Sequence, residues 1–338
     1  MSDQEPPEDA TDEEETAEGM TYAEAGVDID ESEAATHALL GALDVAEDST
    51  SYAGLIDIGD RYLALATDGV GTKLLVAEAI DDYRTVGIDC IAMNANDLVA
   101  TGVTPVAFVD YLAIDEPDER ITEQIGVGLA EGAKRAGVSL VGGETAVMPE
   151  VITGFDLAGA VAGLATKGQI FDGEASNGDA LVGFPSSGIH SNGLTLARQA
   201  VTSTYEYTDR FPHDDSRSVG EVLLEPTRIY TYLLDALHEH DVHAAAHVTG
   251  GGWTNLERMG EFRYEITDPF DPQPVFDFIQ ELGGVQDEEM YRTFNMGTGF
   301  VVAVSPDRAD ALVEETDGRV IGTVTEGTGI DVDGVLLD

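Results

Sequence analysis

With 338 residues, 43% of them apolar, and 38 glycines, the chain is long enough for two globular domains of mixed helix and strand. A formal charge of −50, from 66 acidic against 16 basic residues, opposes nucleic-acid phosphates and anionic membranes, and the apolar runs fall far short of the ~18 residues that a spanning helix needs. The single cysteine, Cys90, excludes an internal disulfide and a cysteine-cluster metal site.

Residues 1–19 hold nine acids and no base, and are expected to form a disordered acidic tail. An N-terminal domain is expected over residues 20–170, with a strand at 62–66, a helix at 87–100, a strand at 106–113, a helix at 121–136 capped by Gly137, and strands at 138–141 and 157–165. The polar stretch 167–179 leads into a C-terminal domain, residues 171–338. It opens with a strand at 180–184 and continues with helices near 194–201, 226–238 and 275–282 and a strand at 299–304. Acids are spread along the whole chain while the apolar fraction is ordinary, which fits a surface adapted to high salt on a soluble, cytoplasmic enzyme.

The strand at 62–66 runs into Asp68-Gly69-Val70-Gly71-Thr72-Lys73. A carboxylate can hold a magnesium ion, glycines let backbone N–H groups approach phosphate, and Lys73, one of three lysines, supplies countercharge. A tight Asp-Gly turn with Lys73 opening a helix is the alternative. Neither Gly-Lys-Ser/Thr nor a strand-linked G-x-G-x-x-G is present, so the two commonest nucleotide-binding fingerprints are excluded. On the helix at 87–100, Asp89, Met93, Asn96 and Asp97 share a face opposite Ile88, Ile91, Ala95 and Leu98; that face is either solvated or part of a site.

Leu140-Val141-Gly142-Gly143-Glu144 repeats the pattern of a strand ending in glycines and an acid, so Asp68, Asp97 and Glu144 form a candidate magnesium set. Residues 185–193, with Ser187, Gly188, His190, Ser191 and Asn192, lie between a strand and a helix, where N–H and O–H donors suit an anion and His190 could act as acid or base. An ordinary N-cap loop would look the same. His247-Val248-Thr249-Gly250-Gly251-Gly252 ends another strand in three glycines, which favours close approach of a ligand. His238, His240 and His243 lack zinc-protease spacing and read as a helix end and a strand start.

In this order the motifs resemble the phosphoribosylformylglycinamidine cyclo-ligase (aminoimidazole ribonucleotide synthetase) family of purine biosynthesis. The resemblance runs from Tyr22 to Gly299 and takes in Tyr22-Ala23-Glu24-Ala25-Gly26-Val27-Asp28-Ile29, the Asp68 to Lys73 run, Asn96-Asp97-Leu98, Pro226-Thr227-Arg228-Ile229-Tyr230 and Met290-Tyr291-Arg292-Thr293-Phe294-Asn295-Met296-Gly297. It implies an α+β fold of two domains, the first contributing strands to a barrel across a homodimer, the second a sheet flanked by helices, with ATP between them. It also implies that ATP phosphorylates the formyl amide oxygen of formylglycinamidine ribonucleotide, that the amidine nitrogen attacks, and that phosphate leaves as the imidazole ring closes.

The site residues expected on this basis are His190, His247 and Lys73 for catalysis. Asp68, Gly69, Gly71, Thr72, Lys73, Asn96, Asp97, Gly142, Gly143 and Glu144 are expected to hold ATP and magnesium, and Ser187, Gly188, His190, Ser191, Asn192, Thr249, Gly250 and Asn295 the substrate. Thr50-Ser51-Tyr52 stands where the family has a glycine-rich stretch, Val147 replaces an acid, and Asn94-Ala95 replaces a more apolar pair. Relatives of the hydrogenase-maturation, thiamine-phosphate kinase and selenophosphate synthetase types, or a catalytically silent nucleotide-binding scaffold, are the alternatives; no cysteine precedes Cys90 to serve the selenium chemistry.

Overall fold

The computed structural model describes residues 19–23, 25–26, 34–36, 38–39, 41–42, 52–171 and 173–337. The expected acidic tail lies outside the described residues except for Gly19, as do Glu24 and residues 27–29 of the opening block and Thr50 and Ser51.

The first half contains β1 (Gly54–Asp57), β2 (Arg61–Gly69), α1 (Lys73–Ile80), α2 (Val86–Ala100), β3 (Thr104–Ile114), α3 (Glu119–Ala136), β4 (Ser139–Val147) and β5 (Phe155–Thr166). The strands form one sheet in the order β1-β2-β5-β3-β4, antiparallel except for the parallel β3/β4 pair. Alternate residues of β5, among them Leu157, Val161 and Ala165, are buried against α2 and α3, as the period of two requires. Asp118 caps α3 by accepting from the N–H groups of Arg120 and Ile121, and Gly137 ends it at φ +72°, the left-handed cap expected from sequence. Where α3 crosses α2, a Cβ on Gly128 would lie 2.6 Å from the Arg84 carbonyl oxygen and 3.1 Å from the Gly87 Cα, so only glycine permits this approach. The other sheet face is open: Leu65, Val109 and Tyr111 are 47%, 40% and 42% exposed.

The second half contains β6 (Ala180–Pro185), α4 (Leu194–Thr202), β7 (Arg210–Phe211), β8 (Asp214–Ser218), α5 (Val219–Leu223), α6 (Leu234–Glu239), β9 (Ala244–His247), β10 (Arg263–Ile266), α7 (Pro274–Gly283), α8 (Asp287–Thr293), β11 (Thr298–Val304), α9 (Pro306–Glu315), β12 (Arg319–Thr325), β13 (Gly329–Val332) and β14 (Val335–Leu337). Seven of the strands form a sheet in the order β14-β13-β10-β12-β6-β11-β9. Val182, Phe184, Phe300 and Val302 pack on one face with α6 and α9, while Leu181, Val301 and Ala303 pack on the other with Trp253, Leu256 and Met259. The expected sheet flanked by helices is therefore present.

Three expectations need correction. The strand at 62–66 runs on to Gly69, so Asp68 and Gly69 are its last residues and not the following turn. The strand at 138–141 continues to Val147 because its ladder with β3 carries on to Ile114↔Val147, which puts Gly142, Gly143 and Glu144 inside β4. The helix expected at 226–238 reduces to a 3-10 turn at Thr231–Leu233 followed by α6. Residues 226–230 cannot be helical because their backbone groups bond to side chains of the first domain: the N–H groups of Thr227 and Tyr230 donate to Asp89 and Asn96, and the Arg228 carbonyl accepts from Asn96.

Candidate active site

The polar face of α2 forms the seam between the domains. Asp89 and Asn96 are fully buried and Met93 is 4% exposed, which rules out a solvated face. Asn96 Nδ2 donates to the Arg228 carbonyl (2.8 Å) and approaches His247 Nε2 (3.2 Å), while its Oδ1 accepts from the Tyr230 N–H (2.9 Å). At the next residue, Asp97 Oδ1 meets His247 Nδ1 at 3.1 Å. With the proton on Nδ1, the buried ring donates to Asp97 and accepts from Asn96, so both nitrogens are satisfied. The Tyr52 hydroxyl accepts from the His247 N–H (3.1 Å) and lies 3.3 Å from its carbonyl, with the Arg258 guanidinium 4.6 Å from the Tyr52 ring centroid. Tyr52, which stands where the family has its glycine-rich stretch, thus fixes the strand end that carries His247.

Asp68 completes this corner. Asn94 clamps it, accepting from the Asp68 N–H (2.9 Å) and donating to its carbonyl (3.1 Å). Burial, then the Asp97 carboxylate, push the Asp68 carboxyl up to about 6, against the opposing pull of the Gly69 N–H and of His247. Sequence reasoning missed Asn94, whose signal was a polar residue off the polar face of α2.

Other expected residues lie differently. Lys73 is fully buried: its Nζ donates to Asp89 Oδ1 (2.8 Å) and the Glu225 carbonyl (2.6 Å), so it does not stand beside an open phosphate position. Burial lowers its pKa although Asp89 opposes the shift. His190 is also fully buried, at φ +60°, and its Nε2 accepts from the N–H groups of Ser187 (3.1 Å) and Arg228 (3.4 Å). Burial first, and then the charges of His247, Lys73 and Arg228, hold its pKa well below 6.5, so the ring is a neutral acceptor inside the loop and not an exposed acid or base. A Cβ on Gly299 would lie 2.1 Å from the Tyr230 hydroxyl and 2.7 Å from His190 Cε1, which explains a glycine in β11.

Ser187 Oγ donates to the Pro226 carbonyl (2.6 Å), and Asn295 Nδ2 to the Gly188 carbonyl (2.9 Å), so Asn295 supports the loop from below. The Thr249 N–H and Oγ1 donate to Asn255 Oδ1, and Gly250 lies beside Asn192. Thr72 Oγ1 and Thr195 Oγ1 are 3.1 Å apart, linking the glycine turn at Gly71 to α4. Glu144 does not join Asp68 and Asp97: its register partner is Tyr111, on the open sheet face, whereas Gly143 faces Asp110 on the helix side. Among the described residues no group of three or more His, Cys, Asp or Glu side chains is arranged to hold a metal ion.

Two α/β domains joined by a buried polar seam, with a carboxylate corner at one end and a donor-rich loop beside it, define a two-domain enzyme scaffold. The AIR synthase related protein models match it in both halves, the N-terminal domain over residues 50–165 and the C-terminal domain over residues 176–335, and the chain belongs to this family. It is 46% identical over 329 residues to the phosphoribosylformylglycinamidine cyclo-ligase of Methanosarcina barkeri (strain Fusaro / DSM 804), covering 94% of this chain and 98% of that one. It is likewise 46% identical over 331 residues to the protein of that name from Pyrococcus furiosus, covering 93% and 98%. Among solved structures, the AaThiL complex with AMPPCP and TMP superposes with a TM-score of 0.67 at 17% identity, over 92% of this chain and 97% of that one. T. maritima PurL complexed with FGAR superposes with a TM-score of 0.60 at 18% identity, over 87% of this chain and 47% of that one. These two likenesses speak to the fold.

Proposed function

We propose that the chain catalyses the ATP-dependent cyclisation of formylglycinamidine ribonucleotide to 5-aminoimidazole ribonucleotide, releasing ADP and phosphate. The observation that carries this reading is 46% identity to proteins named for that reaction over nearly the full length of both chains. In the reaction, ATP transfers its terminal phosphoryl group to the formyl amide oxygen and ADP departs. The amidine nitrogen then attacks the same carbon, loses a proton, and phosphate leaves with the former amide oxygen. Once oxygen has become a phosphate leaving group, ring closure asks mainly for positioning.

Asp68 and Asp97 are the residues to hold the magnesium of ATP. Two acids share a partly enclosed corner, and the raised Asp68 carboxyl marks a place where a divalent cation would relieve repulsion between them. Magnesium is usually held by one or two carboxylates plus phosphate oxygens, so a corner with two acids among the described residues fits it. When bound, the ion neutralises phosphate charge. His247 holds the Asp97 carboxylate in place, and Asn94 holds the backbone of Asp68. The loop 187–192 offers the substrate the donors it does not spend internally, Asn192 Nδ2 first among them, since it has no partner among the described residues, with His190 organising the loop from inside.

Part of the same proposal is a homodimer formed through the open face of the first sheet. Leu65, Val109 and Tyr111 form an exposed apolar set there, and Glu144 shares their face. In such a dimer Glu144 would serve the partner's nucleotide and not its own chain's. High-salt adaptation and a cytoplasmic setting complete the proposal; no helix among the described residues is long and apolar enough to cross a membrane. The test is formation of aminoimidazole ribonucleotide with one ADP per turnover, in potassium chloride at molar concentration. Phosphorylation of thiamine monophosphate without any aminoimidazole product would replace this reading with a kinase of the same fold.

A further inference from the structure

The buried Lys73 ammonium has no place in the chemistry above, yet it sits at the first residue of α1, directly after the turn that follows Asp68. Its partner Asp89 uses one oxygen for everything: Oδ1 accepts from Lys73 Nζ (2.8 Å), the Thr227 N–H (2.7 Å) and Thr227 Oγ1 (2.6 Å), while Oδ2 is buried with no hydrogen-bond partner among the described residues. Lys73 also takes the Glu225 carbonyl, so the pair grips residues 225–227 from the first domain. Because the Thr227 hydroxyl proton goes to Asp89, the 3.2 Å contact with Ser191 Oγ must have Ser191 as donor. Ser187 Oγ donates to the Pro226 carbonyl beside it. The loop 187–192 therefore rests at two points on a segment whose position is set by Lys73 and Asp89.

We propose that Lys73 is a positioning residue that sets the loop 187–192 against the Asp68 corner, acting through Asp89 and Thr227. An ion pair this deeply buried repays its desolvation poorly, and apolar residues of similar shape often stabilise a fold as well; its particular contribution is geometric. The proposal rests on the cyclo-ligase reading for its kinetic consequence, since the loop is where the ribonucleotide is held.

The experiment compares Lys73→Met/Asp89→Asn, which removes both charges together, with Thr227→Val, which leaves the ion pair intact and removes only the hydroxyl, and with Thr227→Ser as the conservative control. In both Lys73→Met/Asp89→Asn and Thr227→Val, the KM for formylglycinamidine ribonucleotide should rise about tenfold while the Kd for ATP stays within about twofold. Amide exchange over residues 187–192 should quicken in the same two variants, and Thr227→Ser should behave as wild type in both measurements. Weakened ATP binding with an unchanged ribonucleotide KM in the double variant would overturn the proposal by making Lys73 a nucleotide contact. Unchanged kinetics and exchange in both variants would reduce the pair to a structural one. A wild-type enzyme that forms no aminoimidazole product would defeat the cyclo-ligase reading alone, and the exchange measurement would still decide the role of Lys73.

Discussion

His190 holds a left-handed backbone at φ +60° while its enclosed ring accepts two backbone N–H groups, an arrangement that neither a charged imidazole nor an ordinary side chain would keep. The unfolded chain takes up a proton on this residue near 6.5 while the folded chain does not, so its contribution to stability is full above that pH and is lost as pH falls. His190→Asn, which tolerates the backbone, should remove a fall in unfolding free energy that sets in below pH 6.5 and steepens toward a limit of about 1.4 kcal/mol per pH unit. Urea titrations with the same slope in both proteins would mean that the ring is open to protons. Asp68 acts in the opposite sense. Its folded carboxyl is raised from 3.8 to about 6, so the stability it contributes is full below the lower value and lost as pH rises through the upper one. Asp68→Asn should therefore be more stable than wild type at pH 7 without metal, by as much as about 3 kcal/mol, yet lose turnover by orders of magnitude. Asp97→Asn should lose turnover similarly. Near-normal rates in both variants would remove these acids from the magnesium assignment.

Helix α2 carries the organisation of the whole site, and much of that was legible in advance. Its period separates Ile88, Ile91, Ala95 and Leu98 from Asp89, Met93, Asn96 and Asp97, and both groups are where the period puts them. What the period could not tell is that the second group faces another domain, because a solvated face and a polar interface have the same pattern. The same limit explains the missed form of residues 226–230, which use their backbone on Asp89 and Asn96 and not on each other. Glycines mislead differently: Gly142 and Gly143 look like a strand end but occur where β4 passes close to Val109 and Asp110. Lys73 and His190 were picked out as reactive types, yet a sequence does not reveal which charges end up enclosed. Removing the seam's central amide makes the element's role measurable. Asn96→Ala deprives the Tyr230 N–H and the Arg228 carbonyl of their partners and should cost about 2–4 kcal/mol. A loss below about 0.5 kcal/mol would mean that the seam is not formed as described. On the sheet, Val109 is 40% exposed, so Val109→Asp should leave the monomer folded and abolish the proposed dimer. Light scattering that finds an intact dimer in this variant would exclude the open face as the interface.

At the scale of the whole molecule, charge is the dominant feature: 66 acids against 16 bases on 338 residues, with a site that must attract ATP and a second anion. Several of the bases are already committed, Arg120 to Asp81, Arg217 to Glu225, Arg263 to Asp331 and Lys73 inside the seam, so few remain to draw in phosphate. On the high-salt reading mobile cations do what the chain does not, and the screening length shrinks from ~10 Å at 0.1 M salt to ~3 Å at 1 M. Dimerisation makes this demand sharper, since it would bring two such surfaces together. Activity and dimer fraction should accordingly rise together with potassium chloride concentration. The acidic segment gives a way to separate its own charge from that of the folded domains. Met20 donates its N–H to the Gly283 carbonyl at 3.1 Å, so Met20 itself is docked and a cut should stop at residue 18. Deleting residues 2–18 removes nine acids and no base, and should shift the salt requirement slightly downward with turnover unchanged. The measurement is a salt titration of rate and mass for both proteins. If the full-length enzyme is equally dimeric and active at roughly 50 mM and about 2 M potassium chloride, the acidic surface is not an adaptation to salt and its repulsion is balanced within the fold.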